Sequence, residues 1–254
     1  VAGNETVDVV VVGAGFGGLY LLHRLRVLGF SVVVVEAGDD VGGTWFWNRY
    51  PGARCDVESL EYSYSFDADL AQDWHWSERY AAQPEILAYA RHVADRFDLR
   101  RDLRCSTRVS GASFDEGSER WMVHSDAGDT WSAQWLVLAT GCLSSANVPD
   151  LPGLREFAGV TVHTGRWPRD PVDVVGKRVA VVGTGSSAIQ AVPLIAREAS
   201  EVTVFQRTAT YAVPARNRPT DVADEASVKA DYPAFRAANQ RMSTAFGARL
   251  GGSG

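Results

Sequence analysis

With 254 residues, 46% of them hydrophobic, the chain has room for one large domain or two small ones, each with a real core. A formal net charge of -6, without any block of lysines or arginines, excludes nucleic acid and anionic membrane surfaces as evident partners and leaves small molecules. Cys55, Cys105 and Cys142 form neither a C-x-x-C pair nor a metal-ligand spacing, which argues against a disulfide framework, structural zinc or a dithiol reductase and fits a reducing cytoplasm. The opening VAGNETVD lacks a basic segment followed by an apolar core, and no apolar run approaches the roughly 18 residues of a membrane span. A soluble chain is therefore expected.

Val7 to Val12 is a short valine-rich run, the pattern of a strand buried on both faces of a parallel sheet, and it feeds directly into GAGFGG at Gly13 to Gly18. An apolar helical pattern through Leu19, Leu22, Leu25 and Leu28 follows, then a break at Gly29 and a second strand, SVVVV, ending in Glu36. In such a strand-loop-helix unit Gly13 permits the tight turn, Gly15 lets a pyrophosphate approach the backbone at the helix N-terminus, and Gly18 lets helix pack on strand. A carboxylate at the position of Glu36 accepts hydrogen bonds from a ribose 2'-hydroxyl and repels a 2'-phosphate. Val41 to Phe66 is too rich in glycine and aromatics for a plain helix or strand and reads as a ligand-wrapping loop.

Gln83 to Phe97 places Ile86, Ala90, Val93 and Phe97 on one face, with Pro84 suited to the first turn of an amphipathic packing helix. His92 lies off that stripe, and it, His75 and His124 read as solvated side chains rather than metal ligands. Leu103 to Val109, Arg120 to Ser125 and Thr130 to Leu138 read as strands, the last two joined as a hairpin through Asp126 to Asp129. WLVLATG, Trp135 to Gly141, is expected to rejoin the first sheet. VPDLPGL, Val148 to Leu154, reads as an irregular crossing between domains.

The first site reappears at an offset of 170 residues: VVVVG at Val9 to Gly13 matches VAVVG at Val179 to Gly183, followed by Thr184, Gly185, Ser186, Ser187 and Ala188. Ala188 replaces the last glycine, which close helix packing tolerates, and the two serines can add hydroxyl hydrogen bonds. The offset carries Glu36 onto Gln206 and Ala37 onto Arg207. An acid is replaced by a cation that can pair with phosphate, so the second site should choose NADPH over NADH, with Thr208 adding a hydroxyl.

Between the two glycine loops, FAGVTVHTGRWP fills the pattern F-x-G-x-x-x-H-x-x-x-W-P with Phe157, Gly159, His163, Trp167 and Pro168. With the segment GGTWFWNRYPGARCD, it resembles the flavin-dependent (type I) Baeyer-Villiger monooxygenase family, whose members oxidise ketones to esters or lactones, and the resemblance runs nearly the whole length. It implies an α/β chain with two Rossmann-like domains: an FAD-binding domain over 1-148, a linker carrying the fingerprint over 149-168, and an incomplete NADPH-binding domain over 169-254. By this resemblance Phe16, Thr44, Trp45, Phe46, Trp47, Asp56, Tyr62 and Val109 contact FAD. Arg54, Cys55 and Asp56 face the nicotinamide side, and Thr184 to Gln190, including Ile189, line the NADPH site with Arg207 and Thr208. Asp56 is the catalytic candidate, tuning charge beside the flavin through an arginine that this sequence lacks. His163 acts in domain communication.

The implied reaction is reduction of FAD by NADPH, capture of O2 as a peroxyflavin and attack on a ketone. The chain reads as an N-terminal part of such an enzyme, with negligible oxygenation expected of it alone and with GGSG, Gly251 to Gly254, a flexible loop or a scar. Two alternatives stay open: a flavin-containing or N-hydroxylating monooxygenase, and a non-catalytic FAD-binding fragment whose unfinished second sheet exposes edges and apolar faces.

Overall fold

Valine runs, glycine turns and helical stripes set the chain's alternation of strand and helix, and a computed structural model describes residues 4-243 and Gly247. In chain order, β1 (Asn4–Val12), α1 (Phe16–Val27) and β2 (Val32–Val35) precede three short helices, α2 (Thr44–Trp47), α3 (Ser59–Tyr62) and α4 (Ala68–Asp73), and the longer α5 (Gln83–Arg96). Then come β3 (Leu103–Arg104), β4 (Val109–Asp115), β5 (Arg120–Ser125) and β6 (Thr130–Leu138). The last elements are β7 (Arg178–Val182), α6 (Ser186–Glu198), β8 (Glu201–Phe205), α7 (Val222–Ala230) and α8 (Tyr232–Gln240). The expected terminal loop at Gly251 to Gly254 lies outside the described residues. None of the described helices is long and apolar enough to cross a membrane.

Two compact units interleave along the chain: Val1–Arg49 with Ile86–Pro171, and Tyr50–Glu85 with Val172–Gly254. In the first, six strands run in the order β3-β2-β1-β6-β5-β4. The strands β3, β2, β1 and β6 are parallel neighbours, and β5 and β4 extend the sheet antiparallel from β6. The Trp135 segment does rejoin the first sheet, with Val9 opposite Trp135 and Val12 opposite Leu138. Burial on both faces is realised by alternation. Val9, Val11, Val32 and Val34 pack with Leu19 and Leu22 of α1, whereas Val10, Val33 and Val35 pack with Val123, Trp131 and Ala133 of the hairpin. On α5, Ile86, Ala90 and Val93 are fully buried, as the helical spacing predicts.

Three local expectations need correction. Leu103 to Val109 is not one strand: β3 ends at Arg104, Ser106 takes a positive φ of 53°, and Val109 opens β4. The break occurs because the backbone N-H groups of Ser106 and Thr107 turn to donate to the carbonyls of Gly38 and Glu36, at 2.7 and 2.9 Å. The aromatic loop from Val41 carries two single helical turns, α2 and α3. His75 is exposed as expected, its Nδ1 lying 3.0 Å from Glu225 Oε2, but His92 is half-buried rather than solvated.

In the second unit β7 and β8 form a two-stranded parallel sheet. The apolar side chains at its strand ends stay open, with Val182 64% and Phe205 55% exposed. Two aspartates start the polar, alanine-rich helices. Asp221 accepts from the N-H groups of Ala223 and Asp224 ahead of α7, and Asp231 accepts from Ala234 ahead of α8. Val228, Tyr232 and Phe235 supply the buried face of this pair.

Candidate dinucleotide-binding sites

The two glycine loops are conformational copies. Gly13 and Gly183 have φ of 106° and 108°. Gly15 caps α1 at φ -76°, ψ -171°, and Gly185 caps α6 at φ -74°, ψ -176°. Gly13 N-H donates to the Val35 carbonyl at 2.8 Å and Gly183 N-H to the Phe205 carbonyl at 2.9 Å. Strand register repeats too: Val9 faces Val32 and Val179 faces Val202. Gly15 and Gly185, as N-cap residues, offer no side-chain acceptor to the first turn, which suits each helix N-terminus to an external acceptor such as a pyrophosphate.

Crowding separates the copies. A Cβ on Gly13 would sit 2.6 Å from the Ala139 carbonyl oxygen, and one on Gly18 would sit 1.9 Å from the Gly13 carbonyl oxygen. At Gly183 and Gly185 a Cβ would meet no described atom within 4 Å. Gly13→Ala should therefore lower the urea midpoint more than Gly183→Ala. Both force positive φ on a side chain, at about 1–3 kcal/mol, but only the first also drives a methyl onto the Ala139 carbonyl, just past β6. Equal midpoints would contradict the crowding.

The acidic tip of the first site is Glu36, 5% exposed. Its Oε2 accepts from Ala14 N-H and its Oε1 from Gly38 N-H, both at 2.7 Å. A carboxylate has about four acceptor positions, so two remain for ribose hydroxyls. At the second site Gln206 occupies the matching position, and its Nε2 donates to Thr184 Oγ1 at 3.1 Å, Thr184 being the counterpart of Ala14. Arg207 and Thr208 are exposed, and among the described residues no carboxylate lies within ion-pair distance of Arg207.

The aromatic residues of the first unit divide by burial. Trp45 is 8% and Phe46 3% exposed, while Trp47 and Thr44 are half-buried. The Phe46 ring packs on Gly38, where a Cβ would come within 2.6 Å, and stands edge-on to Trp47 at 4.9 Å. The guanidinium groups of Arg49 and Arg169 lie 5.1 and 5.4 Å from its centroid. Val109, at the start of β4, is half-buried and packs against the hairpin-side core, as Phe16 does against the core on the α1 side.

The fingerprint also has local causes. A Cβ on Gly159 would lie 2.5 Å from the Phe157 ring, so F-x-G lets the ring fold back over the chain. His163 Nδ1 accepts from Gly165 N-H at 3.1 Å and closes the turn that leads to Trp167 and Pro168. Arg169, just past it, pairs bidentately with Asp39 at 2.6 and 2.5 Å and holds that carboxyl below its usual range. Sequence reading missed this latch, because nothing near either residue marks the other as its partner.

Arg54, Cys55, Asp56 and Tyr62 fall in the second unit. Asp56 is exposed and Tyr62 half-buried. The Cys55 thiol is buried, and burial pushes its pKa up to about 11, which leaves it protonated and unreactive at neutral pH. Arg54 Nη1 donates to Glu78 Oε2 at 2.8 Å and to the Tyr80 carbonyl at 3.0 Å. That bond holds the Glu78 carboxyl below its usual range. Glu78 and Asn217, which also hydrogen-bonds Glu78, escaped sequence reading because both are distant in the chain and lack a motif.

The paired loops define a dinucleotide-binding flavoprotein architecture, and the chain belongs to the pyridine nucleotide-disulphide oxidoreductase family, whose model matches residues 7-229. Within that class it corresponds to an N-terminal part of the flavin-dependent Baeyer-Villiger monooxygenases. It is 49% identical over 226 residues to a Baeyer-Villiger monooxygenase from Pseudooceanicola batsensis, covering 89% of this chain and 41% of that protein. It is 43% identical over 226 residues to a phenazine N-monooxygenase from Lysobacter antibioticus, covering 89% of this chain and 42% of that one. An oxidized steroid monooxygenase bound to NADP superposes with a TM-score of 0.89 at 58% identity, covering 93% of this chain and 45% of that structure. The chain thus spans less than half the length of these relatives.

Proposed function

We propose that the chain supplies the FAD-binding and NADPH-binding machinery of a flavoprotein monooxygenase that uses O2 to insert oxygen next to a ketone carbonyl, giving an ester or lactone. The carrying observation is one loop geometry used twice with opposite chemistry after its second strand: Glu36 in one copy, Gln206 and Arg207 in the other. When bound, FAD accepts a hydride from NADPH and activates O2. The chain's residues bind and orient. The N-H groups after Gly15 hold the FAD pyrophosphate, Glu36 its adenosine ribose, and the Thr44–Trp47 turn and Val109 flank the flavin nucleotide. The amides after Gly185, with Ser186 and Ser187, hold the NADPH pyrophosphate, while Arg207 and Thr208 take its 2'-phosphate. Asp56, as an exposed carboxylate two residues beyond Arg54, is the group that sets charge beside the reacting centre. His163 holds the turn between the two functional domains assigned to 1-148 and 169-254.

The kinship with a phenazine N-monooxygenase supports a second reading, oxygen transfer to a ring nitrogen by the same cofactors. Anaerobic stopped-flow of the FAD-loaded chain tests the shared half of both readings. NADPH should bleach the flavin absorbance far faster than NADH, and a flavin that NADPH never bleaches would overturn the proposal. Products then separate the readings: an ester or lactone from a ketone favours the first, and an N-oxide without any ester favours the second.

A further inference from the structure

The resemblance places Gln190 among the residues lining the dinucleotide, but its side chain is already committed elsewhere. It lies in the second turn of α6, and both ends of its amide are used within the second unit. Oε1 accepts from Tyr50 hydroxyl at 2.8 Å and from Arg54 N-H at 3.3 Å, while Nε2 donates to the Arg54 carbonyl at 3.1 Å. A side-chain amide that takes both the N-H and the C=O of one residue acts as a short piece of paired strand. The chain is cut to allow this. Gly52 has φ 79°, and a Cβ there would stand 2.5 Å from the Gln190 carbonyl oxygen and 3.1 Å from Leu194 Cδ1. The tyrosine, the glycine and the amide together press residues 50-54 onto α6. On its other side Arg54 is fixed through Glu78 and the Tyr80 carbonyl, and by a bridge from Arg54 to Ala82.

We propose that Gln190 is a positioning residue: it fixes the backbone of Arg54 against the helix whose N-terminus receives NADPH, and thereby the direction of the Asp56 carboxylate, without touching the dinucleotide. The inference rests on the functional reading of Asp56 and of the second loop. It differs from a cofactor-contact role in what it transmits. The helix that registers NADPH also holds the loop that presents Asp56, so cutting the clamp uncouples hydride delivery from binding.

Gln190→Leu removes both ends of the clamp, and Tyr50→Phe removes one hydrogen bond while leaving the fold less perturbed. In the cofactor-free chain, hydrogen exchange at the Arg54 amide should rise at least about tenfold in Gln190→Leu, with the α6 core amides unchanged; Tyr50→Phe should show a smaller rise in the same place. In the FAD-loaded chain, the dissociation constant for NADP+ should stay within about threefold of the parent. Meanwhile the limiting rate of flavin reduction by NADPH should fall about tenfold or more. Unchanged exchange at Arg54 in both variants would overturn the clamp. A tenfold weaker NADP+ with an unchanged limiting rate would make Gln190 a cofactor contact and overturn the positioning role. If the parent chain takes up no FAD, the functional reading fails and the coupling fails with it; the exchange result identifies that case as distinct from an absent clamp.

Discussion

Arg207→Glu should weaken NADP+ binding about 10- to 150-fold and change NAD+ binding by less than about threefold. Charge-assisted hydrogen bonds from an arginine to a phosphate are worth about 1.5–3 kcal/mol, and reversal of the charge replaces that attraction with repulsion. The geometry makes the effect selective. Residues 179-188 repeat residues 9-18 in backbone conformation and strand register, so Gln206 and Arg207 follow β8 as Glu36 and Ala37 follow β2. There Gln206 turns its amide onto Thr184, and the exposed Arg207 has no competing carboxylate among the described residues. Calorimetric titration of the FAD-loaded chain with each nucleotide decides it. Because the pair is exposed to solvent, the NADP+ affinity of the parent should also fall with added salt more steeply than that of the variant. Equal losses for both nucleotides would remove Arg207 from the phosphate.

What was legible in the sequence is what short segments determine. A valine run, a glycine that must take positive φ and a helix stripe are properties of neighbouring residues, so both loops, the hairpin and the duplication could be read directly. The replacement of Glu36 by Gln206 and Arg207 was equally plain once the two copies were aligned. The rest depended on partners far along the chain. A strand breaks at Ser106 and Thr107 because their N-H groups turn to the carbonyls of Gly38 and Glu36, and His75 meets Glu225 from 150 residues away. Phe46 matched a flavin-binding segment by pattern, yet its ring is committed to packing on Gly38 beneath two arginines. Gln190 fell inside a motif that names dinucleotide contacts, while Tyr50 and Arg54, which hold its amide, belong to a different motif.

Glu36 tests the first site in two separable ways, because its carboxylate has a structural task before any cofactor arrives. Glu36→Gln keeps size but offers only one acceptor atom where the N-H groups of Ala14 and Gly38 each require one, at 2.7 Å on separate oxygens. One buried donor is left facing an amide N-H, at a cost of about 1–3 kcal/mol, which for a chain of this size lowers Tm by several degrees. Glu36→Arg goes further: a longer, oppositely charged side chain must enter a position that is 5% exposed, and the hydroxyls of a ribose lose their acceptor. FAD retention after gel filtration should then fall from stoichiometric to a small residue, whereas Arg207→Glu should leave flavin retention intact. A Glu36→Gln chain with unchanged Tm would show that the two backbone bonds contribute nothing net. A Glu36→Arg chain that stays fully yellow would separate Glu36 from the ribose altogether. The second copy shows why the acid is specific to the first: where Gln206 stands in its place, the residue it faces is Thr184, whose hydroxyl accepts the amide proton that the Ala14 backbone could not.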